Sequence, residues 1–182
     1  EMVDTSKSIS EELGKLEGFS KEELTVLYEN IGLGALKYFI LKVDPKKRML
    51  FDPMESIDFN GNTGPFIQYT YARICSLQRK YEGLLCVSEP KSALLAKEKD
   101  LVKILIRYPE VIQDAADNLT PAVLANYTFE LVKEYNQFYQ QVPIFGTDIK
   151  QDIDFRVGLS AFVGRLIFSS MGLLGITVPE RM

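Results

Sequence analysis

The sequence predicts an all-α protein, a helical bundle, on three observations. Apolar residues recur at offsets of three and four in one stretch after another, and no segment sustains the alternation of a half-buried strand. Cap residues and prolines stand where helices should start and stop. No fixed-period repeat points to a solenoid.

The first helix is announced by Ser20-Lys21-Glu22-Glu23, which has the Ser-x-x-Glu form of a capping box, with Leu24, Leu27, Tyr28 and Ile31 following at helical spacing. Gly32 and Gly34 weaken it before Leu36, Phe39 and Ile40 resume the apolar face, so a kink or two helices in series are expected. Gly32-Leu33-Gly34 follows no strand and lacks a third glycine, so it reads as a packing or kink site and not as a phosphate loop. From Pro45 to Asn62 periodicity disappears, which marks a connection and the expected domain boundary: residues 1–62 on one side, 63–182 on the other.

Thr63-Gly64-Pro65 supplies a cap and a first-turn proline for a helix through Phe66, Tyr69, Ala72, Arg73 and Ile74 to about Lys80. Gly83 to Pro90 is irregular. Leu101, Ile104, Leu105 and Tyr108 then trace a helix stopped by Pro109, and a short one follows through Val111, Ile112 and Ala115. Thr120-Pro121 opens a long helix carrying Val123, Leu124, Tyr127, Leu131, Tyr135, Phe138 and Tyr139, ending before Pro143. The last helix spans Asp152 to Leu174 and gives way at Gly175 and Pro179 to a short tail.

Composition bounds the chemistry. The 182 residues are 46% hydrophobic and 25% charged, enough for one domain, or one domain and part of another. No histidine is present, which excludes Ser-His-Asp and Cys-His relays and removes the commonest ligand of catalytic zinc, so no catalytic or metal residues are assigned. Cys75 and Cys86 fit neither a metal spacing nor a disulfide framework and read as ordinary residues of a reducing compartment. Apolar runs fall well short of the roughly 20 residues that span a bilayer, and no basic-then-apolar signal opens the chain. A cytoplasmic protein without membrane contact is expected, and the sequons at Asn118 and Asn126 read as chance matches. At a net charge of −4, any nucleic-acid surface must be local.

One stretch is more specific. Asp58-Phe59-Asn60-Gly61-Asn62-Thr63-Gly64-Pro65-Phe66-Ile67-Gln68-Tyr69-Thr70-Tyr71-Ala72-Arg73 resembles the segment that joins the catalytic domain of arginyl-tRNA synthetases to their anticodon-binding domain. Gly172-Leu173-Leu174-Gly175-Ile176 with Pro179-Glu180-Arg181-Met182 resembles that family's C-terminus, and Asn126-Tyr127-Thr128-Phe129-Glu130-Leu131 resembles a helix between. The resemblance implies a helical anticodon-binding domain from residue 63, preceded by a helical remnant of the catalytic domain. It implies tRNA for arginine as partner, a catalytic domain upstream in the same chain, a monomeric parent that uses ATP with Mg, and no cofactor in this part. The Gly64-to-Arg73 run argues against a related class I enzyme such as the cysteinyl one; a helical protein-interaction module is the rival of another kind.

By the same resemblance, RNA contacts fall on Phe59, Asn60, Gly61, Asn62 and Thr63 in the loop, on Phe66, Tyr69 and Tyr139, and on Met182. The chemistry suits those residue types. Unpaired bases stack on aromatic rings and are read by hydrogen bonds on their edges, so a few rings recognise RNA without a basic surface. Phe66 stands where relatives often carry tyrosine, which keeps the ring and loses a hydroxyl. Tyr71, Tyr135 and Phe138 read as packing residues, and Gln68 and Asn136 as either base-edge readers or supports of the bundle. Lys46-Lys47-Arg48, Arg73, Arg79 and Lys80 are candidate phosphate contacts, and Arg156 and Arg165 are expected in interhelical pairs.

Overall fold

The computed structural model describes residues 18–50, 52–83 and 89–182. The expectations for residues 1–17, for Cys86 and for most of the stretch between Gly83 and Pro90 lie outside the described residues. Seven helices follow one another: α1 (Lys21–Leu41), α2 (Pro53–Ile57), α3 (Gly64–Arg79), α4 (Ala96–Ile106), α5 (Tyr108–Asp117), α6 (Pro121–Gln141) and α7 (Lys150–Leu173). Among the described residues there is no strand, and the fold is all-α as the periodicity predicts.

Helix starts follow the cap chemistry. Ser20 and Glu23 form the reciprocal capping box, each side chain bonded to the other's backbone N–H at 3.2 and 2.7 Å. The Thr63 hydroxyl caps α3 by accepting from the Phe66 N–H at 3.3 Å. Thr120 stands at the predicted start of α6, but its hydroxyl caps nothing; Pro121 alone presets that turn. The five-residue α2 lies within a stretch expected to be irregular. It forms because Asp52 accepts from the N–H groups of Met54 and Glu55, and it is too short for a period to show.

Helix α6 is the hub, packed by α4 and α5 on one side and by α3 and α7 on another. Helices α3 and α6 run the same way, since Phe66 meets Phe129 and Arg73 meets Asn136 about two turns further on. Helix α7 runs against α3, with Tyr71 beside Phe168 and Ile74 against Gly164. The core between them holds Ile67, Ile74, Leu131, Tyr135, Phe138, Val163, Ile167 and Met171, all fully buried, each contributing about 1.5–3 kcal/mol by removal from water.

Helix α1 is unbroken, where a kink or two helices were expected. Its glycines serve close approach. A Cβ on Gly64 would lie 2.6 Å from the Gly34 carbonyl oxygen, so α1 and α3 cross backbone to backbone at that pair. Neither backbone can give way as a flexible side chain would, so Gly64→Ala is expected to cost about 1–3 kcal/mol, read as a lowered urea midpoint with an unchanged slope. With 21 residues, 18 of them in a window of mean hydropathy 1.2, α1 is long and apolar enough to cross a bilayer by those measures alone, although no single apolar run in it is long. Here Leu27, Tyr28, Ile31, Ala35, Tyr38 and Phe39 are buried within the bundle.

A buried ion pair ties α4 to α7. Arg156 donates to Glu98 at 2.8 Å and to the Pro143 carbonyl at 3.1 Å, while the other Glu98 oxygen accepts from the Leu95 N–H at 2.7 Å and so caps α4. Arg156 thus makes the expected interhelical pair. Arg165 departs from expectation: it is exposed and lies over the Phe162 ring of its own helix, 5.4 Å from the centroid.

Helix α7 ends at Gly175, whose φ of +68° only glycine adopts without strain. The Ile176 N–H bonds back to the Met171 carbonyl at 2.8 Å. An extended tail follows, with Ile176 and Val178 buried and Thr177 exposed, and it carries Arg181 and Met182 across the bundle.

Candidate nucleic-acid interface

The loop before α3 is held by its own side chains. The Asp58 carboxylate accepts from the Asn60 N–H at 2.8 Å, and the Thr63 hydroxyl donates to the Asp58 carbonyl. Asn62 is an anchor: its side-chain oxygen accepts from the Tyr38 hydroxyl at 2.7 Å and its carbonyl from the Lys42 ammonium at 2.9 Å. Thr63 is buried. Asn60 is exposed and Phe59, Gly61 and Asn62 are partly so, Asn62 with its side-chain oxygen and carbonyl already engaged.

Beyond the loop, four groups line up. Phe59 meets the Tyr69 ring edge-on at 6.4 Å, the Arg73 guanidinium lies 5.0 Å from the Tyr69 centroid, and the same guanidinium lies 5.3 Å from that of Tyr139. Arg73 therefore sits between a ring of α3 and a ring of α6. It is fixed there by Asn136, which accepts from Arg73 at 2.7 Å and donates to the Thr70 hydroxyl at 3.0 Å. Asn136 supports the arrangement in this way.

Tyr69, Arg73 and Tyr139 wall a cleft of about 320 Å³, which Phe19, Ala72, Ser76, Arg79, Arg181 and Met182 complete. Tyr139 is 38% exposed and Tyr69 half-buried, so neither ring is sealed into the core. Three guanidiniums line the cleft and, among the described residues, no Asp or Glu side chain does, so a molecule of net negative charge carries a local cationic, aromatic recess. Arg79 also donates to the Glu180 carbonyl at 3.3 Å, and the Arg181 guanidinium lies 4.3 Å from the Phe19 centroid.

The structure thus brings Tyr69, Tyr139 and Met182 together, with Phe59 at the margin. Phe66 goes elsewhere: one helical turn before Tyr69, it is half-buried against Phe129 at 5.9 Å. Tyr135 and Phe138 are fully buried, and Tyr71 packs partly buried against Phe168, as packing residues should. Burial, then the neighbouring Cys75, push the Tyr71 hydroxyl up to about 12, and burial likewise raises the Tyr135 hydroxyl and the Cys75 thiol, so all three stay neutral at physiological pH. Gln68 is buried and reaches no base edge. Lys46, Lys47 and Arg48 are exposed and line no part of the cleft.

Phe19 and Arg181 are members that sequence reasoning missed. Phe19 sits before the first helix in no motif, and nothing in its neighbourhood signals that the far end of the chain returns to it. Among the described residues no three Cys, Asp or Glu side chains converge as a metal site.

Comparison with known proteins bears on this arrangement. Residues 67–182 match the model of a family described as the DALR anticodon binding domain. All 182 residues align with an arginine–tRNA ligase of Flavobacterium psychrophilum at 57% identity and, over an alignment of 185 positions, with one of Phocaeicola vulgatus at 51%. The chain spans about 30% of the length of each of these relatives. Among solved structures, the Thermus thermophilus arginyl-tRNA synthetase superposes over the whole chain with a TM-score of 0.89 at 28% identity, covering 31% of that enzyme. A Plasmodium falciparum arginyl-tRNA synthetase shares the fold, with a TM-score of 0.86 at 23% identity and 32% of its chain covered.

Proposed function

Since the chain belongs to the DALR anticodon-binding domain family, we propose that it is the anticodon-reading part of an arginine–tRNA ligase, a parent enzyme that joins arginine to its tRNA. The observation that carries this reading is the pair of accessible rings, Tyr69 and Tyr139, set on either side of Arg73 in a cleft lined by three arginines and, among the described residues, by no Asp or Glu. Splayed anticodon bases would stack on the rings, at about 1–3 kcal/mol for each stack, while the guanidiniums stack or pair with phosphate. Phe59, Asn60 and Gly61 would approach the same nucleotides from the loop, with Asn62 and Thr63 holding the loop in place, and Met182 would close the recess. Phe66 would contribute from the margin, beside Phe129.

In this proposal residues 63–182 form the anticodon-binding domain, in keeping with a family match that begins at residue 67, and residues 1–62 are a remnant of the catalytic domain with its linker. ATP with Mg would belong to the upstream catalytic domain. Gly32-Leu33-Gly34 does not fit that nucleotide here, because it lies within α1 and a Cβ on Gly34 would meet the buried Gln68 amide. A monomeric, cytoplasmic parent is part of the same proposal, since its tRNA is used in the cytoplasm.

The test is binding of the chain to tRNA for arginine and to the same tRNA with its anticodon replaced. Preference for the first, lost on replacement, is expected, and so is the absence of arginine-dependent ATP–pyrophosphate exchange. Equal affinity for both RNAs, or none, would overturn the proposal and favour a protein-interaction module.

A further inference from the structure

The tail that brings Arg181 and Met182 to the cleft has no helix or strand of its own, so something else must place it. Its carbonyls are held by three side chains. Lys37 of α1 donates to the Gly175 carbonyl at 2.6 Å, Gln68 of α3 to that of Thr177 at 2.8 Å, and Arg79 of α3 to that of Glu180 at 3.3 Å. Gln68 differs from the other two in being fully buried.

The two N–H donors of its Nε2 are both used, one on Thr177 and one on the Asn30 carbonyl of α1 at 3.0 Å, while its oxygen has no partner among the described residues. An apolar side chain would fill the same space but give neither carbonyl this donor, and the Thr177 carbonyl would lose its tie to α3. Room for the amide is made at Gly34, where a Cβ would come within 2.6 Å of Nε2. The amide is thus a three-way joint between α1, α3 and the tail.

We propose that Gln68 is a positioning residue for the nucleic-acid cleft: its buried amide fixes the C-terminal tail against α1 and α3 and so holds Arg181 and Met182 at the cleft wall. The proposal rests on the anticodon-reading function assigned above. Gln68 touches no ligand in it and acts through residues four and five positions beyond the carbonyl it holds.

Two measurements on the full chain test it. The first needs no RNA: backbone relaxation of Arg181 and Met182 in Gln68→Met, with amides of α6 as reference. Both tail residues are expected to become mobile while α6 stays rigid; an ordered tail in that variant overturns the proposal. The second is affinity for the anticodon stem-loop of arginine tRNA. Gln68→Met is expected to weaken it roughly tenfold, comparable with loss of one stack. In an Arg181→Ala background the same change should cost only about twofold to threefold, because part of its effect is already gone.

Equal losses in the two backgrounds would mean a general structural role and would sink the idea. If Gln68→Met does not fold, Lys37→Met reads the same question from the exposed end of the tail, with the same mobility and the same non-additivity expected and their absence overturning it. A tail that loosens in a chain whose unaltered form binds no RNA would uphold the joint and reject the anticodon-reading function.

Discussion

Replacing Arg156 with alanine is expected to destabilise the chain by about 3–5 kcal/mol, a large part of the roughly 5–15 kcal/mol that holds a domain of this size folded. The reason is what remains behind. Glu98 is only 3% exposed, and without the guanidinium its carboxylate would be buried with one backbone N–H as its remaining partner. The Pro143 carbonyl in the connection between α6 and α7 would lose one of its two donors and keep the Gly146 N–H at 3.2 Å. Urea unfolding of the two chains measures the difference, and a loss below about 1 kcal/mol would show that the pair adds nothing. Replacing both members by methionine should cost far less than either single change, since desolvation of the two charges roughly offsets their attraction.

The second expectation sets neighbours on α6 against each other. Phe138 is fully buried in the core and Tyr139 faces the cleft. Phe138→Ala should therefore cost about 3–5 kcal/mol of stability through the cavity it leaves. Tyr139→Ala should leave the unfolding midpoint nearly unchanged and weaken tRNA binding by about 1–3 kcal/mol, if its ring stacks on a base. The pair of measurements separates core from surface at adjacent positions. Should Tyr139→Ala unfold the chain, the ring belongs to the core, and the recess loses one of its aromatic walls.

The fold was legible wherever local chemistry decides it. The Ser20–Glu23 box, the Thr63 cap and the prolines at 65 and 121 mark helix starts that the structure reproduces. Where a tertiary partner decides, legibility fails. Gly32 and Gly34 look like helix breakers until Gly64 and Gln68 are seen pressed against the second of them. Asp52 makes a helix too short to have a period. Arg156 could be expected to pair, but its partner lies 58 residues earlier.

The recess divides in the same manner. Tyr69, Tyr139 and Met182 came from resemblance to a family, and the structure places them at one cleft. The bridging of two rings by Arg73 depends on the parallel course of α3 and α6 and on Asn136, which periodicity alone does not show. Phe19 and Arg181 meet because the tail travels back past α1, a path set by three side-chain bonds to its carbonyls.

The crossing of α1 over α3 at Gly34 and Gly64 has a mechanical consequence. Two backbones in van der Waals contact leave no compliant layer of side chains in which sliding could be absorbed, so the helices can turn only together. Since Tyr69 and Arg73 ride on α3, any swing imposed on α1 by what precedes it would tilt the recess through the same angle. The crossing behaves as a weld and not as a bearing.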